Sequence, residues 1–221
     1  MKLHAIIFDL DQTLISDYPQ HTRAFMLAGK KFGYNFKRKE IYPFFGISAK
    51  NLIRKLDPKI SQKNLLELVQ YKEKIYRKIS RKEGVKLLPF AFDIFEFLGR
   101  KKIKYAIASS ANRRNILLDF RNTGLKKFKI PFISADDVKH TKPNPEPLLK
   151  AAKLIHENPK HSAYVGDSIY EIMAAKRAGM YAVGVHTGFY SKQDLKKKGA
   201  KIVFDNLGQF KKFLERKNFT V

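Results

Sequence analysis

Carboxylates are scarce in this chain, and several of them fall where apolar, strand-like runs stop. The run Leu3–Phe8 ends in Asp9-Leu10-Asp11-Gln12-Thr13, and Ala163–Val165 ends in Gly166-Asp167-Ser168, with Glu171 three residues on. One such aspartate commonly does no more than cap a turn. Two clusters at two strand ends, in a chain of 45 Lys and Arg against 20 Asp and Glu, point to a site. Brought together, Asp9, Asp11, Asp167 and Glu171 would repel one another unless a cation lay among them. Hard oxygen donors without cysteine suit Mg²⁺ better than zinc.

Two more segments carry groups that suit phosphate. The run Tyr105–Ala108 ends at Ser109-Ser110, just before a helical pattern from Asn112. A hydroxyl there, together with helix-start N–H groups, can hold phosphate oxygens, and Ser109 could equally be an N-cap. Lys142 sits in Thr141-Lys142-Pro143-Asn144-Pro145, a segment that its prolines keep from being helical. A lysine on a stiff loop is a point charge placed for phosphate and carboxylates together.

These residues need a frame that sets strand ends side by side. Apolar runs recur at Leu3–Phe8, Tyr105–Ala108, Pro131–Ser134, Ala163–Val165, Ala182–Val185 and Ile202–Phe204. Helical patterns lie between the later ones, at Asn112–Thr123, Pro145–His156 and Tyr170–Ala178. The Pro145 helix is expected to turn Leu148, Leu149, Ala152 and Ile155 inward. Buried strands alternating with amphipathic helices predict an α/β fold, a Rossmann-like, doubly wound parallel sheet. Such sheets bind ligands beyond the carboxyl ends of their strands.

Residues 15–87 read differently. They hold no convincing strand. Gln20–Phe32 is a helical stretch, Ser48 can cap Ala49–Leu56, and Ser61 can cap a long helix with Leu65, Leu68, Val69, Ile75, Tyr76 and Ile79 in one stripe. The expected organisation is an α/β core of residues 1–14 and 88–221, with a helical insertion at 15–87.

The chain of 221 residues carries a formal charge of +25 and a pI near 10.1. Its basic residues are dispersed in short clusters such as Lys37-Arg38-Lys39 and Lys196-Lys197-Lys198. That dispersal favours a solvated lysine-rich surface over a nucleic-acid or membrane patch, although such a surface attracts anions generally. Zero Cys excludes disulfides, a thiolate zinc site and a cysteine nucleophile. No apolar run approaches the ~20 residues of a membrane span. The expected location is the cytoplasm, and nothing in the sequence sets an oligomeric state.

Asp9-Leu10-Asp11-x-Thr13, Ser109, Lys142-Pro143 and Gly166-Asp167-Ser168-x-x-Glu171, in that order, resemble the four motifs of the haloacid dehalogenase-like hydrolase superfamily. The likeness covers nearly the whole chain, through Val183–Gly188 and on to Asp205. A helical insertion straight after the first motif is similar to the α-helical cap of the phosphoglycolate phosphatase and β-phosphoglucomutase branch. The resemblance implies that Asp9 attacks phosphorus and that Asp11 serves as acid and then base. It implies Mg²⁺ held by Asp9, the Asp11 carbonyl, Asp167 and Glu171, with Ser109, Ser110 and Lys142 on the phosphoryl group. His21, Arg23 and Lys50 are the candidate cap contacts.

Three positions depart from the pattern. Gln12 stands where glycine is usual, Glu171 where aspartate is common, and Phe90 where a glycine often follows proline. The acid at Asp11 argues against carbon–halogen hydrolysis. Phosphoglucomutases of this branch have a cap-loop arginine where this chain has Ala49 beside Lys50. The expected activity is therefore a Mg²⁺-dependent phosphatase for a small phosphorylated metabolite. A phosphomutase is the alternative, and a basic nucleic-acid-binding protein with a vestigial site is a further one.

Overall fold

The computed structural model describes residues 3–216. Six parallel strands form one sheet in the order β5-β4-β1-β6-β7-β8. They are β1 (Ala5–Phe8), β4 (Lys104–Ala108), β5 (Phe132–Ile133), β6 (Ser162–Gly166), β7 (Tyr181–Val185) and β8 (Ile202–Phe204). β1 lies at the centre and is buried throughout. Its side chains alternate between faces, as the pleat requires. Ile6 and Phe8 pack with Ile94, Phe95, Leu98 and Phe210, whereas Ala5 and Ile7 pack with Leu148, Ile172 and Ala175.

The register sets the site. Phe8 pairs with Ile107 on one side and Val165 on the other. The next residues of the three strands are therefore level at one edge: Asp9, the segment leading to Ser109, and Gly166-Asp167. The chain runs outward from β1 through β4 to β5, then returns to build β6, β7 and β8 on the other side. That reversal opens the crevice expected at the switch point.

Helices α5 (Ala91–Arg100), α6 (Arg113–Thr123), α7 (Glu146–Leu154), α8 (Ile169–Arg177), α9 (Lys192–Lys198) and α10 (Leu207–Arg216) flank the sheet. Two sequence expectations need correction. Asn112, not Ser109, caps α6, its side-chain oxygen accepting from the Asn115 N–H at 3.0 Å. Leu149 stays 40 % exposed although Leu148, Ala152 and Ile155 are buried, because it lies off the stripe that meets the sheet.

The helical cap contains α1 (Tyr18–Lys31), α2 (Arg38–Ile41), α3 (Ala49–Leu56) and α4 (Gln62–Glu83). Ser48 and Ser61 cap α3 and α4 as their sequence positions predict. Phe25, Leu52, Leu65 and Leu68 make the cap its own apolar core. Two strands absent from the sequence reading, β2 (Ile15–Ser16) and β3 (Lys86–Leu87), pair antiparallel where the chain leaves and re-enters the sheet domain. Two-residue strands carry no periodicity to read. Among the described residues no helix is long and apolar enough to cross a membrane.

Candidate active site

The buried ammonium of Lys142 contacts an Asp9 carboxylate oxygen, the Tyr164 hydroxyl (3.0 Å) and Glu171 Oε1 (3.4 Å). The loop before α7 thus delivers a cation to the end of β1, as its prolines suggested. Tyr164, on β6, is steadied by donating to the Ala108 carbonyl at 3.1 Å. Burial disfavours the charge on Lys142, but Asp9 and Glu171 outweigh it and hold its pKa well above the ordinary lysine value.

Carboxylate oxygens of Asp9, Asp167 and Glu171 lie within 4.8 Å of one another, all three residues buried. Asp167 accepts hydrogen bonds from Thr13 Oγ1 at 3.3 Å and Tyr18 OH at 3.1 Å. Glu171 Oε2 accepts from the backbone N–H groups of Asp167 (2.9 Å) and Ser168 (3.1 Å), completing a capping box at the start of α8. The longer glutamate side chain thus reaches back to the β6 turn while its other oxygen meets Lys142.

Three carboxylates face one ammonium. Burial first, then mutual repulsion, raises Asp167 well above the usual aspartate range and Glu171 to about 7. Asp9 is raised too, by burial, with Lys142 opposing. A hard cation among these oxygens would relieve that repulsion, so the donor set fits a divalent metal. The backbone leaves room for these carboxylates: a Cβ on Gly188 would lie 1.7 Å from Asp167 Oδ2, and one on Gly166 would lie 2.4 Å from Glu171 Oε2.

Asp9 and Asp11 line one cavity beneath the cap, and Asp11 Oδ1 is buried and unpartnered. Burial, Asp17 and Asp9, in that order, raise its pKa well above the ordinary value. A carboxyl that retains its proton can act as an acid. Asp17 Oδ2 in turn meets His21 Nε2 at 3.3 Å, and His21 Nδ1 meets the buried Lys72 ammonium at 2.8 Å. Since an ammonium can only donate, Nδ1 accepts and Nε2–H donates to Asp17. Burial, then Lys72, keeps this imidazole neutral.

Ser109 and Ser110 both stand at the end of β4. Ser109 Oγ accepts from the Ala111 N–H at 3.0 Å, and Ser110 Oγ donates to the cap carbonyl of Gly46 at 2.9 Å. Ser110 lines the cavity with Asp9 and Asp11; the cap adds His21, Phe45, Ala49 and Lys72. With the cap down, the space is about 40 Å³.

The structure does not bring two of the candidate cap residues to this cavity. Arg23 pairs with Glu83 at 2.6 Å on the exposed side of the cap, because α1 turns its buried face elsewhere. Lys50, beside the cavity-lining Ala49, points to a separate cavity outside the Lys142 loop. The sequence reading missed Asp17, Tyr18, Lys72 and Tyr164. Only Asp17, an acid close behind Asp11, carried a signal; the others looked like ordinary helix or strand residues.

Comparison with known proteins agrees with this architecture. The haloacid dehalogenase-like hydrolase profile matches residues 6–185. Pyrophosphatase PpaX of Oceanobacillus iheyensis is 28 % identical over 185 residues, covering 84 % of each chain. The crystal structure of a hydrolase from Pseudomonas syringae superposes with a TM-score of 0.90 at 25 % identity, covering 98 % of this chain and 99 % of that one. β-Phosphoglucomutase from Clostridium difficile shares the fold, with a TM-score of 0.85 at 24 % identity over 97 % and 96 % of the two chains. The chain belongs to the haloacid dehalogenase-like hydrolases.

Proposed function

We propose that this hydrolase is a cytoplasmic, Mg²⁺-dependent phosphatase that cleaves a small phosphomonoester through an aspartyl-phosphate on Asp9. The observation that carries the reading is the buried set of Asp9, Asp167 and Glu171 around the Lys142 ammonium, with Asp11 at the same strand end.

Asp9, Asp167, Glu171 and the Asp11 carbonyl would hold Mg²⁺, which when bound offsets the charge between carboxylate and phosphate. An Asp9 oxygen forms a bond to phosphorus as the bond to the leaving oxygen breaks. Asp11 gives that oxygen its proton. Asp11, now ionised, takes a proton from water as the water oxygen attacks phosphorus. The bond to Asp9 then breaks, and inorganic phosphate leaves. Lys142 holds Asp9 in line and balances the transferring group, and Ser109, at the end of β4 with its hydroxyl hydrogen unused among the described residues, would donate to it.

The closed cavity is too small to admit a metabolite, so the cap must swing off the strand ends before binding. Lys72 on the cap wall, paired there with Glu73 at 3.0 Å, supports a substrate with a second polar group such as a hydroxyl. The relatives named pyrophosphatase are the reason to test inorganic diphosphate beside phosphoglycolate and sugar phosphates. The mutase alternative loses support because Ala49 lines the cavity where a cation would be needed, while Lys50 turns away.

The test is phosphate release from a panel of phosphorylated metabolites and diphosphate, with Mg²⁺ and with chelator. Turnover of at least one member, lost in chelator, is expected. A folded protein that releases phosphate from none of them, or equally well in chelator, would overturn the proposal.

A further inference from the structure

A second cavity, of about 600 Å³, lies at the seam between cap and core, outside the loop that carries Lys142. The cap contributes Lys50 and Arg54 from α3. The core contributes Lys139 and His140 from the loop and Arg177 from the end of α8. No carboxylate lines it.

The cations here are unmatched. Some basic groups of the chain are paired, as in Arg113–Asp137 at 2.8 Å and Lys104–Glu157 at 3.0 Å, although 45 Lys and Arg against 20 Asp and Glu leave most without an acid. What marks the seam cations is that they converge on one cavity with no carboxylate in its lining. Among the described residues, none of Lys50, Arg54, Lys139 and Arg177 makes an ion pair. Arg54 donates to the Gln62 amide oxygen at 2.6 Å and Arg177 to the Pro143 carbonyl at 2.7 Å, which orients both guanidinium groups and leaves them most of their donors. Like charges gathered from two domains around one opening raise the local positive potential and draw an anion to it.

The cavity continues past Asn51, Arg54 and Pro143 into a second lobe of about 530 Å³. That lobe is lined by Ile47, Pro58 and Tyr170, and Lys55 is its one further charge. Each lobe falls within the roughly 300–1,000 Å³ of small-molecule sites. One lobe suits a chain of phosphates, since guanidinium forks match phosphate oxygens. The other suits a flat ring against an aromatic and two prolines.

We infer that the seam binds a nucleoside di- or triphosphate, with its phosphates among Lys50, Arg54, Lys139 and Arg177 and its base beside Tyr170. The ligand touches cap and core at once. Directly at the seam, Asn51 Nδ2 donates to Thr141 Oγ1 at 3.1 Å, and Thr141 Oγ1 donates to Ser48 Oγ at 3.2 Å. A bound nucleotide therefore favours the closed cap over the open one, because only the closed form offers both sets of cations. The site is distinct from the cavity above Asp9, and Lys142, one residue past Thr141, belongs to the inner face of the same loop.

The test is calorimetric titration of ATP into the full chain at physiological salt with chelator, which reads binding without turnover and so stands apart from the reaction assigned to Asp9. Saturable binding is expected, weakened about tenfold or more in the double variant Arg54→Gln/Lys139→Gln through loss of charged hydrogen bonds. The control, Lys196→Gln/Lys197→Gln on α9, removes the same charge elsewhere and should bind as wild type does. Tripolyphosphate should bind more weakly than ATP, and adenosine more weakly than either. Equal loss in both double variants would show that diffuse charge alone holds the nucleotide, and would overturn the site. Tripolyphosphate binding as tightly as ATP would overturn the assignment of a nucleoside to the site. Absence of saturation by ATP, or a single-stranded oligonucleotide that binds in its place more tightly, would refute the ligand class.

Discussion

Gly188→Ala is a small change with a large expected effect, because the added methyl falls on a carboxylate oxygen of Asp167 in the proposed metal site. Its Cβ would sit 1.7 Å from Asp167 Oδ2, 2.7 Å from Cγ and 3.2 Å from Cβ. The backbone conformation of Gly188 is not one that requires glycine, so the conflict is with the carboxylate alone. Asp167 is buried and held by Thr13 and Tyr18, so Oδ2 must give up both its place and its 3.1 Å bond from Tyr18. It has to move by more than an ångström to reach an ordinary contact. Displacements of about 1 Å in a catalytic site cost about a hundredfold in rate, and metal ligands tolerate only about 0.2 Å.

The expected result is a fall in kcat/KM of about a hundredfold at fixed Mg²⁺, partly recovered by raising Mg²⁺. Overpacking of this kind destabilises by about 1–3 kcal/mol, a lowering of Tm of about 2–12 °C that leaves the protein folded at room temperature. The assay is Mg²⁺ activation of phosphate release, with melting followed in parallel. A Gly188→Ala protein with the wild-type Mg²⁺ dependence and turnover would refute the placement of Asp167 in the metal site.

Three further outcomes follow from buried charge. Asp119, on α6, accepts from the Tyr76 hydroxyl of the cap at 3.0 Å, and burial first, then Asp17 and Asp11, raises its pKa from 3.8 to about 9. The folded chain keeps this proton where the unfolded chain has lost it, so the contribution to stability falls as pH rises between those two values. Asp119→Asn, which mimics the protonated acid, should match wild type in Tm near pH 4 and exceed it by several degrees at pH 8. Lys142→Met strands Asp9 and Glu171 without their cation and should cost about 3–5 kcal/mol of stability at neutral pH, with phosphate release falling to background. Mg²⁺ should raise the Tm of the wild type in denaturation scans and fail to raise that of Asp167→Ala, since a ligand stabilises only the state that binds it.

The strand-end acids were legible because β1 and β6 are buried on both faces and end abruptly in carboxylates, in a chain with few of them. Lys142 was legible from its prolines. Two of the odd positions acquire a cause in the fold. Gln12 has φ 56° and Phe90 φ 67°, the left-handed region where glycine is usual, so the preference for glycine at both is conformational rather than chemical. Phe90 fills its place by packing over Gly208, where a Cβ would come within 2.8 Å of the ring.

On the cap side of the site only His21 was legible. Lys72 lies in a helix rich in lysines, and nothing local distinguishes the one that is buried against His21 and Glu73 from those in solvent. Arg23 and Lys50 were drawn from chain neighbourhood, whereas helix rotation decided where they point. The seam cavity was invisible for the same reason: its cations come from three separate segments that only the closed cap brings together.

Covalent attack by Asp9 is the central claim, and a trapped phosphoenzyme tests it most directly. The protein is mixed with substrate and Mg²⁺, acid-quenched within one turnover, digested and weighed by mass spectrometry. The account predicts one phosphoryl group on the peptide that carries Asp9, absent from Asp9→Asn, whose amide lacks the attacking anionic oxygen while keeping the shape of the buried site. A folded Asp9→Asn protein that turns over normally, or a phosphoryl group mapped to another residue, would contradict it.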